Sequence, residues 1–510
     1  MNRKTGVILS YFLMIFEVLS TLLLTPLIIR TLGQAEYGVY KLVASVNAYL
    51  LLLDLGVGNA VIRYISKYRA ENDRQSERKF FGVVLIYYGV IAFIILIFGF
   101  LLIQIFPNVF AKGLNSAEIK LGKSLLVITT INSVITIGTT AFNNIIIAYE
   151  NFYMSKGSAI VFIIVRIILT YIVIVLGFGS RGIVVINLLI TILTRLTYII
   201  YVFFKMKLIP LFKNINFDFI KEIAVYSSLI LLQMIATQIN ASADQILLGM
   251  FVTSSSTIIG IYGIGTQVVQ YYQSIGSAFT GVLMPGITKL VTQDSSSDTI
   301  LEEMVKIGRI IFIILGVIYV VFFVFGEQFI ILWAGQENSN AYYVTIILMT
   351  AYLFILPESV GGQVLWALNM HKEQSFLKIS IVLLNIILTI TLIKWNPLIG
   401  ATIGTFISLI LGEIVVMNII FSKKINISMK KYYYGLLNGI LPSLLITGII
   451  GLIIKLINLS GWIGFFINVF LMSLFYLIVM YKIGFNKYEL NLVKSINIFK
   501  KKKENKHESI

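Results

Sequence analysis

Eight ionisable residues lie inside apolar stretches long enough to cross a bilayer. Glu17, Lys41, Asp54, Arg166 and Arg195 are in the first half of the chain, and Asp244, Glu358 and Glu413 in the second. A charged side chain at the bilayer centre costs about 2.5–3.5 kcal/mol on insertion scales, so each needs a partner, water or a function. The first set mixes both signs; the second is acidic. Two chemistries follow. Cations in a membrane cavity suit an anionic substrate group, above all a phosphate, because the planar fork of arginine donates two hydrogen bonds at once. With Arg30 and Arg63 near the ends of their spans, the substrate-cavity candidates are Arg30, Lys41, Asp54, Arg63, Arg166 and Arg195. The same residues can instead form ion pairs between helices, and Arg166 and Arg195 can snorkel toward water. The second chemistry belongs to the acids. Asp244 shares a polar helix face with Gln238, Asn240, Ser242 and Gln245, costly against lipid, so it should line water or another lobe. It is the leading candidate for binding Na⁺ or a proton and coupling a transport cycle, and Glu358 is a further coupling candidate.

The elements that must position these groups are membrane spans. Of 510 residues 58% are hydrophobic and only 12% charged, against about 25% charged in soluble domains. Apolar runs of about 20 residues predict fourteen helices, near 7–29, 38–62, 82–106, 122–148, 157–177, 183–204, 222–251, 258–286, 308–333, 343–367, 376–394, 398–421, 433–457 and 462–483. The fold class is an all-α polytopic membrane protein. A β-barrel would show alternating segments of about ten residues, and none appear. The run after Asn2-Arg3-Lys4 has no small-residue exit and reads as a true first span, not a cleaved leader. Helices seven and eight are long and polar for lipid-facing segments and are expected to line a cavity. Pro26, Pro285, Pro357, Gly361-Gly362 and Pro442 interrupt spans and serve as hinges or fixed kinks.

Basic residues fix the orientation. With the N-terminus in the cytoplasm, about 30 Lys and Arg fall inside and 7 outside, a strong bias that places both termini in the cytoplasm. The net charge of +17 is spread over these loops, where it meets anionic headgroups, and no soluble platform exists to stack bases, so nucleic acid is not an expected partner. The chain has no cysteine, and His371 and His507 fall in a loop and the tail. Disulfides and thiolate metal sites are excluded, and no cofactor is expected. The basic tail, with Lys500 to Lys503, reads as a solvated peptide touching anionic lipid.

A repeat organises the spans. Gly38-Val39-Tyr40 matches Gly260-Ile261-Tyr262, Tyr49 matches Tyr271, and Lys67 matches Lys289, all 222 positions apart; Gly182 matches Gly400 at 218. Six helices per half is an even number, so both halves enter the membrane in the same direction. They are expected to form two parallel lobes around a central cavity, residues 1–210 and 211–425. Residues 426–485 add helices thirteen and fourteen, and 486–510 form the tail.

Enzyme motifs are missing. There is no GxxxxGK[ST] loop, no HExxH and no ATPase domain, so work must draw on an ion or substrate gradient. A membrane glycan polymerase or ligase needs a sizeable outer loop, whereas the longest predicted outer segment is about 107–121.

The stretch LGQAEYGVYKLVASVNAYLLLLDLGVGNAVIRYISKY, residues 32–68, resembles the helix 1–2 signature of polysaccharide-repeat (oligosaccharide) flippases: LG-x-x-x-YG-x-Y, then LDLG-x-G-NA, ending in RY-x-x-KY. The later run ADQILLGMF…IGIYGIGTQV…MPGITKL is similar to that family's helix 7–8 region. The resemblance covers about residues 1–425. It implies membership of the multidrug/oligosaccharidyl-lipid/polysaccharide exporter superfamily and movement of an undecaprenyl-pyrophosphate-linked glycan from the cytoplasmic to the outer leaflet of a bacterial cytoplasmic membrane. The implied pathways include capsule and O-antigen assembly, with the polysaccharide polymerase or export machinery as a partner. In related lipid II flippases an ion site lies among helices 7, 11 and 12, and Asp244, Asn385 and Thr402 are the positions here that correspond. A multidrug/cation antiporter of the same fold is the alternative; it would want an acidic cavity, against which Lys41, Arg166 and Arg195 stand.

Overall fold

The computed structural model describes residues 3–54, 56–212, 218–292, 296–368, 370–492 and 494. Every regular element among them is helical. Among the described residues ten helical stretches are long and apolar enough to cross a membrane, or eleven with one bent pair. The stretch Ile8–Ala70 holds two of the expected spans, and α8 (Asp218–Phe251) and α9 (Ser256–Thr292) occupy the seventh and eighth. The chain is a multi-pass membrane protein. His507 and Lys500 to Lys503 of the basic tail fall outside the described residues.

The chain divides into two compact units. Unit one is Met1–Ile264 with Lys372–Ser408, and unit two is Gly265–His371 with Leu409–Ile510.

Unit one begins with α1 (Arg3–Leu51), whose helix is interrupted at Gly33, φ 72° and ψ 171°. Only glycine takes that conformation without strain. The expected eight-residue turn between the first two spans is therefore one residue. The second span, expected to run unbroken over 38–62, is itself broken. A 3₁₀ turn at Leu52–Asp54 precedes Gly56, φ 71°, and α2 (Val57–Ala70) starts afresh. Hydropathy does not register this break, because one acid among leucines leaves a window of about 20 residues apolar and Gly56 is not hydrophilic.

Helix α3 (Arg74–Val109) is capped by Asp73, whose carboxylate accepts the Ser76 N–H at 2.9 Å. A capping box of Asn115 and Glu118 starts α4 (Ser116–Gly138), satisfying two backbone donors reciprocally. Thr139 separates α4 from α5 (Thr140–Ala148), a division the sequence pattern of 122–148 does not show. Between α6 (Ser158–Val175) and α7 (Gly179–Ile200), Gly177 and Gly179 both take positive φ. Glu36 of α1 accepts the Ser180 N–H at 2.7 Å, placing an anion at a helix N-terminus, where the macrodipole favours it. Helix α1 packs on α4, α6 and α8, and α4 on α3 and α7. A core of Val61, Ile65, Phe80, Phe81, Tyr88, Phe142, Ile145, Tyr198 and Val202 joins α2, α3, α5, α7 and the turn Tyr201–Lys205 that follows it. At the expected cytoplasmic end of this core, Arg74 binds Glu77 at 2.9 Å and the Met206 carbonyl at 2.9 Å, while the Tyr149 hydroxyl donates to Glu77 at 2.6 Å.

The repeated glycines meet. A Cβ on Gly38 would stand 1.7 Å from the Ser256 carbonyl oxygen and 3.1 Å from the Gly260 nitrogen; one on Gly260 would stand 2.7 Å from the Gln34 carbonyl oxygen. Gln34 and Ser256, like Gly38 and Gly260, are 222 positions apart. The contact is thus reciprocal at the repeat spacing. Lys41 continues it, its stem lying against Gly263, again 222 positions on. Helices α1 and α9 cross here backbone to backbone, which only residues without side chains permit.

The remaining elements are α10 (Ser297–Ala334), α11 (Ala341–Ala367), α12 (His371–Leu392), α13 (Pro397–Leu409), α14 (Met417–Lys424), α15 (Met429–Leu437), α16 (Ile440–Lys455) and α17 (Gly461–Val479). Pro397 opens α13 as its first residue, and the Asn396 side chain accepts the Ile399 N–H at 3.0 Å; a missing N–H costs nothing there. In unit two α10 is central, packing on α11, α15, α16 and α17. The expected helix 433–457 is in fact α15 and α16, bent by 41° at Asn438-Gly439, where Gly439 has φ 77°. Arg309, 3% exposed, stitches this corner. Its guanidinium donates to both carboxylate oxygens of Glu489 and to the carbonyls of Gly435, Asn438 and Gly484, at 2.6–3.0 Å. Five donors meet five acceptors, the condition under which a buried charge is tolerated.

Candidate functional site

Two constellations in unit one gather four of the eight ionisable residues singled out in spans: Glu17, Arg166 and Arg195 in one, Asp244 in the other. The first is a cavity of about 310 Å³ between α1, α5, α6 and α7, lined by Glu17, Asn143, Arg166, Thr191, Thr194, Arg195, Tyr198 and apolar neighbours. Arg166 and Arg195 come from adjacent, packed helices. Among the described residues neither guanidinium makes a hydrogen bond or ion pair with the protein. Two planar donors facing one cavity, with one acid and two threonine hydroxyls on the wall, offer the hydrogen-bond donors that an anion bearing several oxygens would take up.

The second constellation surrounds Asp244, 3% exposed on α8. The hydroxyls of Tyr262 and Thr405 donate to its Oδ2, and that of Thr389 to its Oδ1 at 3.0 Å. Thr389 and Thr405 also each stand 3.1 Å from Asn385 Oδ1, and the Asn385 amide donates to Asn240 at 2.9 Å. Three hydroxyl protons therefore serve five oxygen–oxygen contacts, leaving two contacts without a proton. A positive ion among these oxygens would offset that deficit, and one further proton would halve it. The ligands are all oxygen, the set preferred by hard cations. No cluster of three or more His, Cys, Asp or Glu exists among the described residues, so a cation here would be held by one acid and neutral oxygens. Next to it, Ser45 of α1 donates to Gln245 of α8.

The structure brings Asp244 and Asn385 together and leaves Thr402 aside. Thr402 is buried, but its hydroxyl donates to the Leu398 carbonyl at 2.8 Å, and Thr405, one turn on, faces Asp244. Thr389 and Thr405 are absent from the sequence-based candidates, while Asn240 enters there only as part of the polar face and Tyr262 only as part of the repeat. Two signals point to them: Asn240/Asp244 and Asn385/Thr389 are both i,i+4 pairs on one helix face, and Tyr262 closes the second Gly-x-Tyr repeat.

The other candidates lie elsewhere. Lys41 is half-buried, its ammonium 5.5 Å from the Tyr37 ring centroid. Asp54 sits in the 3₁₀ turn; its Oδ1 is buried without a hydrogen-bond partner, and no ion pair joins it to Lys41. Arg30 and Arg63 are exposed on α1 and α2. Glu358 belongs to unit two.

Among solved structures, a lipid II flippase MurJ in an inward closed conformation is similar over 93% of this chain and 97% of its own, at 17% identity and a TM-score of 0.72. An inward-facing multidrug resistance MATE family transporter of the MOP superfamily aligns over 78% of this chain and 93% of its own, at 17% identity and a TM-score of 0.59. The MATE multidrug transporter DinF-BH gives 83%, 95%, 17% and 0.57. These likenesses show a fold of the MOP type. No curated protein matches the chain significantly. A family model described as "Polysaccharide biosynthesis protein" matches residues 4–291, more than half of the chain, and the chain belongs to that family of membrane proteins.

Proposed function

We propose that the protein is a flippase that moves an undecaprenyl-pyrophosphate-linked oligosaccharide repeat unit from the inner to the outer leaflet of the bacterial cytoplasmic membrane. It works by alternating access of two parallel lobes, residues 1–210 and 211–425, with both termini in the cytoplasm. The observation that carries the reading is the pair of guanidinia, Arg166 and Arg195, that face one cavity without protein acceptors. A diphosphate offers the charge and oxygens that such a pair lacks. The family and the fold shared with a lipid II flippase support the same class of cargo. The glycan would occupy the cavity beside the diphosphate, and the lipid tail would stay in the bilayer. The product would pass to the polymerase or export machinery of a cell-surface polysaccharide such as a capsule or O-antigen.

The Asp244 cluster is the coupling site of this proposal, where Na⁺ or a proton enters with Asn385, Thr389 and Thr405 as neighbours. A multidrug/cation antiporter shares the fold, but an organic cation has no attraction to a cavity holding two arginines and one acid. The test is reconstitution. Proteoliposomes carrying a fluorescent pyrophosphate-linked oligosaccharide should expose it to an external quencher in a protein-dependent manner. Transport of cationic dyes with no movement of the lipid would overturn the proposal in favour of the antiporter.

A further inference from the structure

Unit two holds a buried acid that the Asp244 cluster does not use. Glu358 follows Pro357 in α11 and is 3% exposed. Its Oε2 accepts the hydroxyl of Tyr433 from α15 at 2.5 Å, while its Oε1 is buried with no hydrogen-bond partner. Behind the tyrosine, the Asn418 amide of α14 donates to Tyr433 Oη at 3.4 Å, and Asn418 Oδ1 is also buried without a partner. The neighbouring Tyr432 hydroxyl is a third unpartnered polar atom, lying over Gly308 of α10. Three orphaned groups around one carboxyl are unusual, because buried polar atoms are nearly always satisfied.

We propose that Glu358, Tyr433 and Asn418 form a second ion-binding site, in unit two, and that its ligand is a proton. The packing decides between a proton and a metal ion. A Cβ on Gly361, one turn from Glu358, would stand 2.6 Å from Phe421 and 2.7 Å from Met304, so this wall is apolar and closed. A hard cation gathers about six oxygens, whereas Glu358 has one phenol in contact and one amide behind it. A proton needs only the bare Oε1. A carboxylate oxygen without a partner in such surroundings is costly, and binding a proton removes that cost. The titratable groups facing Glu358 are Tyr432 and Tyr433 from α15 and Glu413 from the π-helical turn Ile410–Val416. From α10 come Met304 and Gly308, and the nearby cation Arg309 is fully engaged by Glu489 and three carbonyls. Among the described residues no cation forms an ion pair with the acid. Its hydroxyl partner sits on α15, the first half of the bent pair, so proton occupancy and the docking of α15 on α11 are linked through one hydrogen bond.

The inference does not depend on the substrate, and its test uses none. Infrared difference spectra between acid and alkaline pH, on the purified full-length chain in lipid, report the carbonyl band of protonated carboxyls. Glu358→Gln should lose one such component and Asp244→Asn should retain it. Addition of Na⁺ at constant pH should leave it in place. An unchanged spectrum in Glu358→Gln, or displacement of the component by Na⁺, would overturn the proposal. Should Glu358→Gln fail to fold, Tyr433→Phe keeps the acid and removes its donor. The component must then change frequency; an unaltered component would equally refute the site.

Discussion

Replacing Gly38 by alanine tests the backbone crossing of α1 and α9 more sharply than any polar substitution. The added methyl would stand 1.7 Å from the Ser256 carbonyl oxygen, whereas its counterpart on Gly260 would stand 2.7 Å from the Gln34 oxygen. Neither obstacle is a side-chain tip that can swing away; both are main-chain atoms of a packed helix. Contacts below 3.0 Å essentially never occur for real Cβ atoms, so the helices must separate by more than an ångström at Gly38 and by a few tenths at Gly260. Overpacking of this kind costs about 1–3 kcal/mol and more where backbone must move. Against it stands the gain of about 1 kcal/mol that alanine brings to a helix interior. Gly38→Ala is therefore expected to be clearly destabilised, by about 2 kcal/mol or more net, and Gly260→Ala to be near neutral or mildly destabilised. Gly89, in α3 with nothing within 4 Å of its added Cβ, is the control and should gain stability. Thermal unfolding of the three purified variants in one detergent, followed by tryptophan fluorescence, gives the order. If Gly38→Ala unfolds at or above the temperature of Gly89→Ala, the close crossing is wrong.

Three further outcomes follow from other parts of the molecule. Glu489→Gln leaves the Arg309 charge buried with carbonyls alone and is expected to cost about 3–5 kcal/mol. The paired change Arg309→Met with Glu489→Leu should cost less than either single change, read by thermal unfolding. Asp244→Asn should abolish the dependence of transport on an imposed ion gradient while leaving exchange of cargo measurable; an unchanged gradient response would remove Asp244 from coupling. At the start of α3, hydrogen bonds from the Ser76 side chain and backbone hold the Asp73 carboxyl below its usual value of 3.8. A depressed value means that the cap contributes above the unfolded value and is lost as pH falls through the folded one. Protection of the Ser76 amide, relative to its intrinsic exchange rate, should fall below about pH 4 in the wild type and stay flat in Asp73→Asn.

The helices were legible because a bilayer demands about 20 apolar residues in a row, and the chain supplies them. Their breaks were not. The LDLG segment ends a helix through the positive φ of Gly56, and Asn438-Gly439 bends another, yet both lie inside apolar runs that hydropathy reads as continuous. Asp244 stood out as a charge in a span, but Thr389 and Thr405 did not. Threonine in a membrane helix usually donates to its own backbone, as Thr402 does, so its type gives no sign of which turn faces the acid. Nothing near Arg309 in sequence marks its role; its acceptors come from 126 to 180 positions away, a tertiary fact without a local signature. The repeat at 222 positions was visible only as scattered identities, and the reciprocal approach of Gly38 and Gly260 supplies a physical reason for one of them.

The central claim is that Arg166 and Arg195 receive the diphosphate of a lipid-linked glycan. The most direct measurement compares flipping, in proteoliposomes, of two lipids that carry the same oligosaccharide, one through a pyrophosphate and one through an uncharged linkage. The wild type should move the charged lipid far faster, and Arg166→Ala with Arg195→Ala should slow that lipid by at least tenfold, corresponding to about 1.4 kcal/mol, while barely altering the uncharged one. Equal rates for both lipids in the wild type, or a double variant that flips the pyrophosphate lipid at the wild-type rate, would contradict it.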